Sequence, residues 1–143
     1  MGKNIQGHSI SAFSSCFLPP LAYLHHWAKA DSAVIDTGER YIKQTLRNRC
    51  YISSANGIQA ITVPIRKSKG NRSCMSDILL TEETKWKNEI WRSIKTAYAH
   101  APYFEHYSDD VKNLVYNKDE HTTLLAYNSS FLKFLSEALG INC

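Results

Sequence analysis

A chain of 143 residues with 43% hydrophobic and 21% charged residues has the composition of one ordinary soluble domain, which excludes pervasive disorder and fibrous architectures. The net charge of +4 is too small to imply nucleic-acid or membrane binding by itself, and no apolar run approaches the roughly 18 residues needed to cross a bilayer. Its distribution says more: Arg40, Lys43, Arg47, Arg49, Arg66, Lys67, Lys69 and Arg72 fall in one stretch that contains no Asp or Glu, so the rest of the chain is net acidic.

In chain order, Met1 to His8 is polar and expected to fray. Ile10 to Leu18 reads as a short buried strand closed by Pro19-Pro20. Pro20 suits a first helical position, and Leu21, Leu24, Trp27 and Ala28 recur at helical spacing up to about Ala30. Ala33-Val34-Ile35 before Asp36-Thr37-Gly38 predicts a buried strand and a turn. These elements make a compact βαβ unit whose ligand face lies at the carboxyl ends of its strands, near Phe17 to Tyr23 and Asp36 to Lys43.

Tyr41 to Ser53 fits either a helical or a strand face, and the reading preferred is a loop that enters a strand near Arg49. Ala55-Asn56-Gly57 is a hairpin turn signal, after which Ile58 to Ile65 alternates with Ile61, Val63 and Ile65 inward. Arg66 to Ser76 is a polar loop, and Asp77 to Leu80 a further short strand. Thr81 is expected to cap a helix carrying Glu82 and Glu83 in its first turn, with Trp86, Ile90, Ile94 and Ala97 as its apolar stripe, widened by Trp91 and Tyr98. Ala101-Pro102 ends it, an aromatic segment from Tyr103 to Tyr107 follows, and Asp109 to Tyr116 is a short helix. Leu124, Leu125, Tyr127, Phe131, Leu132, Leu135 and Leu139 face the core from a last helix that Gly140 stops. The sum is an α/β fold: a single domain over 1–143 with fraying confined to residues 1–13, an N-terminal βαβ-like unit, a small mixed sheet and a helical C-terminal half.

Cys16, Cys50, Cys74 and Cys143 form no CxxC pair, and the adjacent His25-His26 pair sits in no HxxxH pattern, so reduced thiols, no metal and no cofactor are expected. The N-terminus lacks the apolar h-region of a secretory signal, which points to the cytoplasm.

Phe17-Leu18-Pro19-Pro20-Leu21-Ala22-Tyr23, then Tyr41 to Cys50, Ala55-Asn56-Gly57 and Thr62-Val63-Pro64 resemble, in order and spacing, the WbqC-like family. Ser76-Asp77-Ile78, Trp86, Trp91-Arg92, Ala97-Tyr98 and Ala101 to Phe104 followed by Tyr107 extend the match over most residues after Ser14. The resemblance implies a transferase in the synthesis of bacterial surface polysaccharide (O-antigen), with aminoacyl or glycyl transfer to an amino sugar. It brings no catalytic residue with it. The family places a histidine before its Trp-Arg pair where this chain has Ile90, and it commonly continues past the point matching Cys143, so a C-terminally shortened member is expected.

Tyr41, Lys43, Gln44, Arg47, Asn48 and Arg49 have the chemistry of a phosphate or carboxylate clamp: guanidinium forks, an ammonium point charge, and amide and hydroxyl groups. Tyr23, beside the Pro-Pro helix start, joins them as a ligand contact. The opposing reading has Arg47 and Arg49 bracing loops against Glu39, Asp36 or Asp77. Asp36, Glu39 and His25 are the candidates for a general base. The expected partner is a phosphate- or carboxylate-bearing small molecule, such as a nucleotide-sugar or activated acyl donor, or an acidic carrier protein. No nucleic acid is expected, because the basic stretch carries no nucleic-acid motif. A noncatalytic ligand- or partner-binding module is the alternative function.

Overall fold

The computed structural model describes residues 9–67, 73–117 and 122–141. Met1 to His8, the middle of the Arg66 to Ser76 loop with Lys69 and Arg72, and Cys143 lie outside the described residues.

Strand β1 (Ile10–Phe13), helix α1 (Leu21–Lys29) and strand β2 (Ser32–Ile35) form the βαβ unit. The strands run parallel, in register from Ile10 opposite Ser32 to Phe13 opposite Ile35. The single buried strand expected from Ile10 to Leu18 is corrected on two counts. Ile10 is exposed, and pairing stops at Phe13, whose carbonyl accepts from the Asp36 amide at 2.9 Å. The burial that the apolar run signalled belongs to the following loop, where Ser15, Cys16 and Phe17 are covered and the Phe17 amide donates to the Leu46 carbonyl at 2.9 Å.

A hairpin follows, β3 (Arg49–Ser54) and β4 (Gly57–Thr62), closed by the two residues Ala55 and Asn56. Gly57 sits at φ 104°, which a side chain would strain. Ile61 and Val63 turn inward as expected, but the strand breaks at Val63-Pro64, since proline has no amide for a ladder. Chain pairing resumes in β5 (Ile65–Lys67) with β6 (Ile78–Leu80), just after a 3-10 turn at Met75–Asp77. Among the described residues, the strands are thus shared among three two-stranded sheets.

The C-terminal half is α2 (Lys85–Tyr98), α3 (Phe104–Tyr116) and α4 (Leu124–Ala138). Helix α2 starts four residues after the expected Thr81 cap. The Thr81 amide still belongs to the sheet, donating to the Pro64 carbonyl, and Glu82 reaches Arg66 at 2.8 Å instead of serving a helix start. Helix α3 begins earlier than expected and absorbs most of the aromatic segment, because the left-handed turn at Tyr103 (φ 63°) starts it immediately. Thr123 caps α4 by accepting from the Ala126 amide at 3.1 Å.

The main core is aromatic at its centre. Phe17 stacks on Tyr127 at 5.9 Å and meets Phe131 edge-on at 5.5 Å, while Trp86 stands edge-on to Tyr127 at 5.8 Å. Trp86, Ile90 and Ile94 of α2 supply the stripe read from the sequence. A smaller cluster of Leu24, Trp27 and Leu132 fixes α1 against α4, with Phe13 and Ile35 packed at its edge. Phe17 therefore anchors the loop that leads out of β1, and that loop lies beside the basic segment.

Candidate functional site

The segment from Arg40 to Asn48 is a loop held at both ends. At its start, the Tyr41 amide donates to the Ser73 carbonyl at 3.0 Å and the Met75 amide to the Glu39 carbonyl at 2.9 Å. At its end, the Asn48 side-chain amide donates to the Val63 carbonyl at 3.1 Å, and the Val63 amide returns a bond to the Asn48 carbonyl at 2.8 Å. Between them, Thr45 Oγ1 donates to the Ile42 carbonyl at 2.8 Å and Gln44 adopts a left-handed φ of 57°. The loop is therefore shaped by its own hydrogen bonds.

Its side chains divide into two groups. The first is an inward clasp: Arg47 Nη2 bonds Glu39 Oε2, which also accepts from Ser14 Oγ at 2.8 Å, while Glu39 Oε1 accepts from the Ser15 amide at 3.0 Å. Both side chains are mostly covered, with relative exposures of 16% for Arg47 and 11% for Glu39. Asn128 of α4 completes the clasp, donating to the Arg47 carbonyl at 2.8 Å and to Ser15 Oγ at 3.0 Å. Tyr23 donates to the Ser14 carbonyl at 2.8 Å. Burial, and then the neighbouring Cys16 and Glu39, raise the Tyr23 pKa, so its hydroxyl keeps its proton. Burial likewise pushes the Cys16 thiol up to about 11, which leaves it inert at neutral pH.

The second group borders an open concavity, with Lys43 and Gln44 exposed and Tyr41 and Asn48 buried beneath them. Tyr41, Lys43, Gln44 and Asn48, with Ile65 as the apolar wall, line an open pocket of about 310 Å³. Among the described residues no carboxylate pairs with Lys43, which is exposed at the rim. Burial raises the pKa of Tyr41, and Arg47 and Arg49 oppose that rise, which places both guanidinium groups within electrostatic reach of its ring. Arg49 donates from Nε to Thr62 Oγ1 at 3.0 Å across the β3–β4 pair, leaving the forked end of its guanidinium for other contacts. Asn48 is only 6% exposed, and its Oδ1 has no hydrogen-bond partner; so do the buried Arg47 Nε and Asn128 Oδ1 of the clasp. Leaving such an atom unpaired costs about 1–3 kcal/mol.

Of the residues nominated from the sequence, the structure brings Tyr41, Lys43, Gln44 and Asn48 together and sets Arg49 beside them. Arg47, Glu39 and Tyr23 are joined in the clasp. Asp36 is exposed and accepts from the Gly38 amide at 3.0 Å, which makes it part of its own turn. His25 is exposed on α1 and meets His26 edge-on at 5.7 Å. Asn128 was not among the nominated residues. Its signal is a polar side chain on the apolar face that Leu124, Phe131 and Leu132 define. Among the described residues no cluster of three or more His, Cys, Asp or Glu side chains could hold a metal ion, and no helix is long and apolar enough to cross a membrane.

Fold and site together define a mixed α/β domain in which one hydrogen-bonded loop borders an open pocket with a cation at its rim. The model of the WbqC-like protein family matches residues 14–143, and the chain belongs to that family. It is also 29% identical over 133 residues to the uncharacterized protein Rv1507c of Mycobacterium tuberculosis, a match covering 93% of this chain and 57% of that protein. The chain thus spans little more than half the length of this relative. No solved structure matches it.

Proposed function

We propose that the protein is a cytoplasmic transferase of bacterial surface-polysaccharide (O-antigen) synthesis, which holds a nucleotide-sugar or activated acyl donor by its anionic group. The observation that carries this reading is the convergence of Tyr41, Lys43, Gln44 and Asn48 on one pocket. The pocket combines what an oriented anion needs: an ammonium charge, amide and hydroxyl groups, and an apolar wall. Membership of the WbqC-like family supports the setting. In aminoacyl or glycyl transfer, the amine nitrogen of an amino sugar bonds the acyl carbon, the anionic leaving group departs with the bonding electrons, and a base takes the proton from nitrogen. Arg49 and Lys43 suit the departing anion.

A second reading, a noncatalytic module that binds a ligand or an acidic carrier protein, draws on a specific observation. The described pocket-lining residues include no carboxylate or imidazole, and Glu39 is committed to Arg47. Calorimetric titration of nucleotide-sugars into the protein and its Lys43→Ala variant tests the first reading. Binding that weakens at least about tenfold in the variant supports an anion on Lys43, at about 1.4 kcal/mol per tenfold. Equal binding to both proteins refutes it. Binding confined to an acyl-carrier-type protein favours the second reading.

A further inference from the structure

Helices α3 and α4 border an open groove of about 580 Å³ on another part of the surface. Helix α3 lines it with Asp110, Asn113, Leu114 and Asn117, and α4 lines it with Ser130, Lys133, Phe134 and Glu137. Both sets follow the i, i+3, i+4, i+7 spacing that gathers residues on one helix face. Where two helices are held together by such stripes, the stripes are apolar, yet here each carries a single apolar residue among polar ones. The polar groups are not used up on one another. Among the described residues, the Asp110 and Asn113 side chains make no hydrogen bond or ion pair, and Lys133 pairs only with Glu137 of its own helix, at 4.0 Å. Asp110, Asn113, Lys133 and Glu137 are all exposed, so a ligand in the groove reaches them directly. Other contacts hold the walls: Tyr127 of α4 donates to the Val115 carbonyl of α3 at 3.1 Å, and Tyr107 of α3 meets Phe134 of α4 edge-on at 6.0 Å. The groove is therefore preformed.

The chemistry of the walls selects the occupant. A phosphate or carboxylate would meet two carboxylates, Asp110 and Glu137, against the one ammonium of Lys133. A purely apolar ligand would strip water from these groups and give no hydrogen bond in return. A pyranose ring suits every part of the groove. Each of its hydroxyls donates and accepts, so neighbouring hydroxyls serve carboxylate, amide and ammonium alike, while its C–H face covers the half-buried Phe134 and Leu114. We propose that the α3–α4 groove is a carbohydrate-binding site, which takes an uncharged sugar ring with its hydroxyls on Asp110 and Asn113 and its apolar face on Phe134. The groove shares no lining residue with the loop pocket, so sugar binding here stands or falls apart from the transferase reading.

The test titrates the isotope-labelled full chain with the methyl pyranosides of glucose, galactose, mannose and N-acetylglucosamine, followed by amide resonances. At least one glycoside is expected to shift the Asn113 side-chain amide and the backbone amides of the groove to saturation, with a Kd on the order of 1 mM. In the double variant Asp110→Ala, Asn113→Ala that Kd should rise at least about tenfold. Both positions are exposed on α3 and alanine favours helix, so the double variant should keep its fold and its thermal midpoint. Lys43→Ala should leave the Kd for the glycoside unchanged. Absence of a saturable shift with any of these glycosides, or an affinity undiminished in the double variant, overturns the site. Shifts confined to Tyr41 to Arg49 place the sugar in the loop pocket and overturn it as well. Inorganic phosphate that saturates the groove amides in place of a glycoside overturns the ligand class.

Discussion

The clasp and the pocket are built from the same short loop, yet they treat charge in opposite ways. In the clasp, Arg47 is turned inward, paired with Glu39 and surrounded by Ser14, Ser15 and Asn128. In the pocket, Lys43 is exposed at the rim of an open concavity, and no described carboxylate pairs with it. Four residues apart in sequence, the two cations serve different ends. The lesson is chemical as much as positional. A guanidinium fork can satisfy a carboxylate and a hydroxyl in a covered site, whereas an ammonium on a flexible stem suits an exposed rim where a ligand arrives with its own charge.

The largest expected effect breaks the clasp. Arg47→Ala leaves the covered Glu39 carboxylate without its partner and should destabilise the fold by about 3 kcal/mol, read from urea denaturation. Lys43→Ala, by contrast, removes an exposed side chain. Its unfolding free energy should stay within about 0.5 kcal/mol of wild type while its affinity for a phosphate ligand falls. Together the two variants separate stability from binding inside one loop.

Alkaline pH sharpens the comparison on the clasp side. Burial pushes the Cys16 and Cys50 thiols from an ordinary 9.0 up to about 11 and about 12. A raised thiol pKa means that the folded state holds the proton more tightly than the unfolded chain. The resulting stabilisation is full below pH 9 and fades as pH rises toward 11. Urea midpoints should therefore decline above pH 9, and less steeply in Cys16→Ala. Native-state alkylation at pH 8 should modify the half-buried Cys74 before Cys16 or Cys50.

The smallest effect concerns the shape of the pocket. Gln44 occupies a left-handed conformation at φ 57°, where glycine is at ease and a β-branched residue is strained. Gln44→Gly should be neutral or slightly stabilising in thermal unfolding, and Gln44→Val should cost about 1 kcal/mol.

Much of this fold was legible in the sequence because its signals are local. The apolar stripe of α2, the Asn56-Gly57 hairpin and the parallel strands flanking α1 follow from periodicity and turn chemistry. Element boundaries were less legible where tertiary pairing decides them. Thr81 looks like a helix cap, yet its amide is held by Pro64 across the sheet. The candidate site was half legible. Residue types nominated Tyr41 through Arg49, and the possibility that Arg47 braces against Glu39 was visible in its charge. Which cation turns inward is set by residues far along the chain. Asn128, 81 positions away, holds the Arg47 carbonyl, and a lone asparagine on an apolar helix face does not announce its partner.

The division of the loop is tested most directly by a double-mutant cycle on Glu39 and Arg47, with Glu39→Gln, Arg47→Ala and the combined variant unfolded in urea. If Arg47 belongs to the fold, each single variant loses stability and the combined variant loses much less than their sum, a coupling of about 1–3 kcal/mol. Additive losses, or an Arg47→Ala protein of wild-type stability that no longer binds a phosphate ligand, would contradict the assignment and return Arg47 to the ligand.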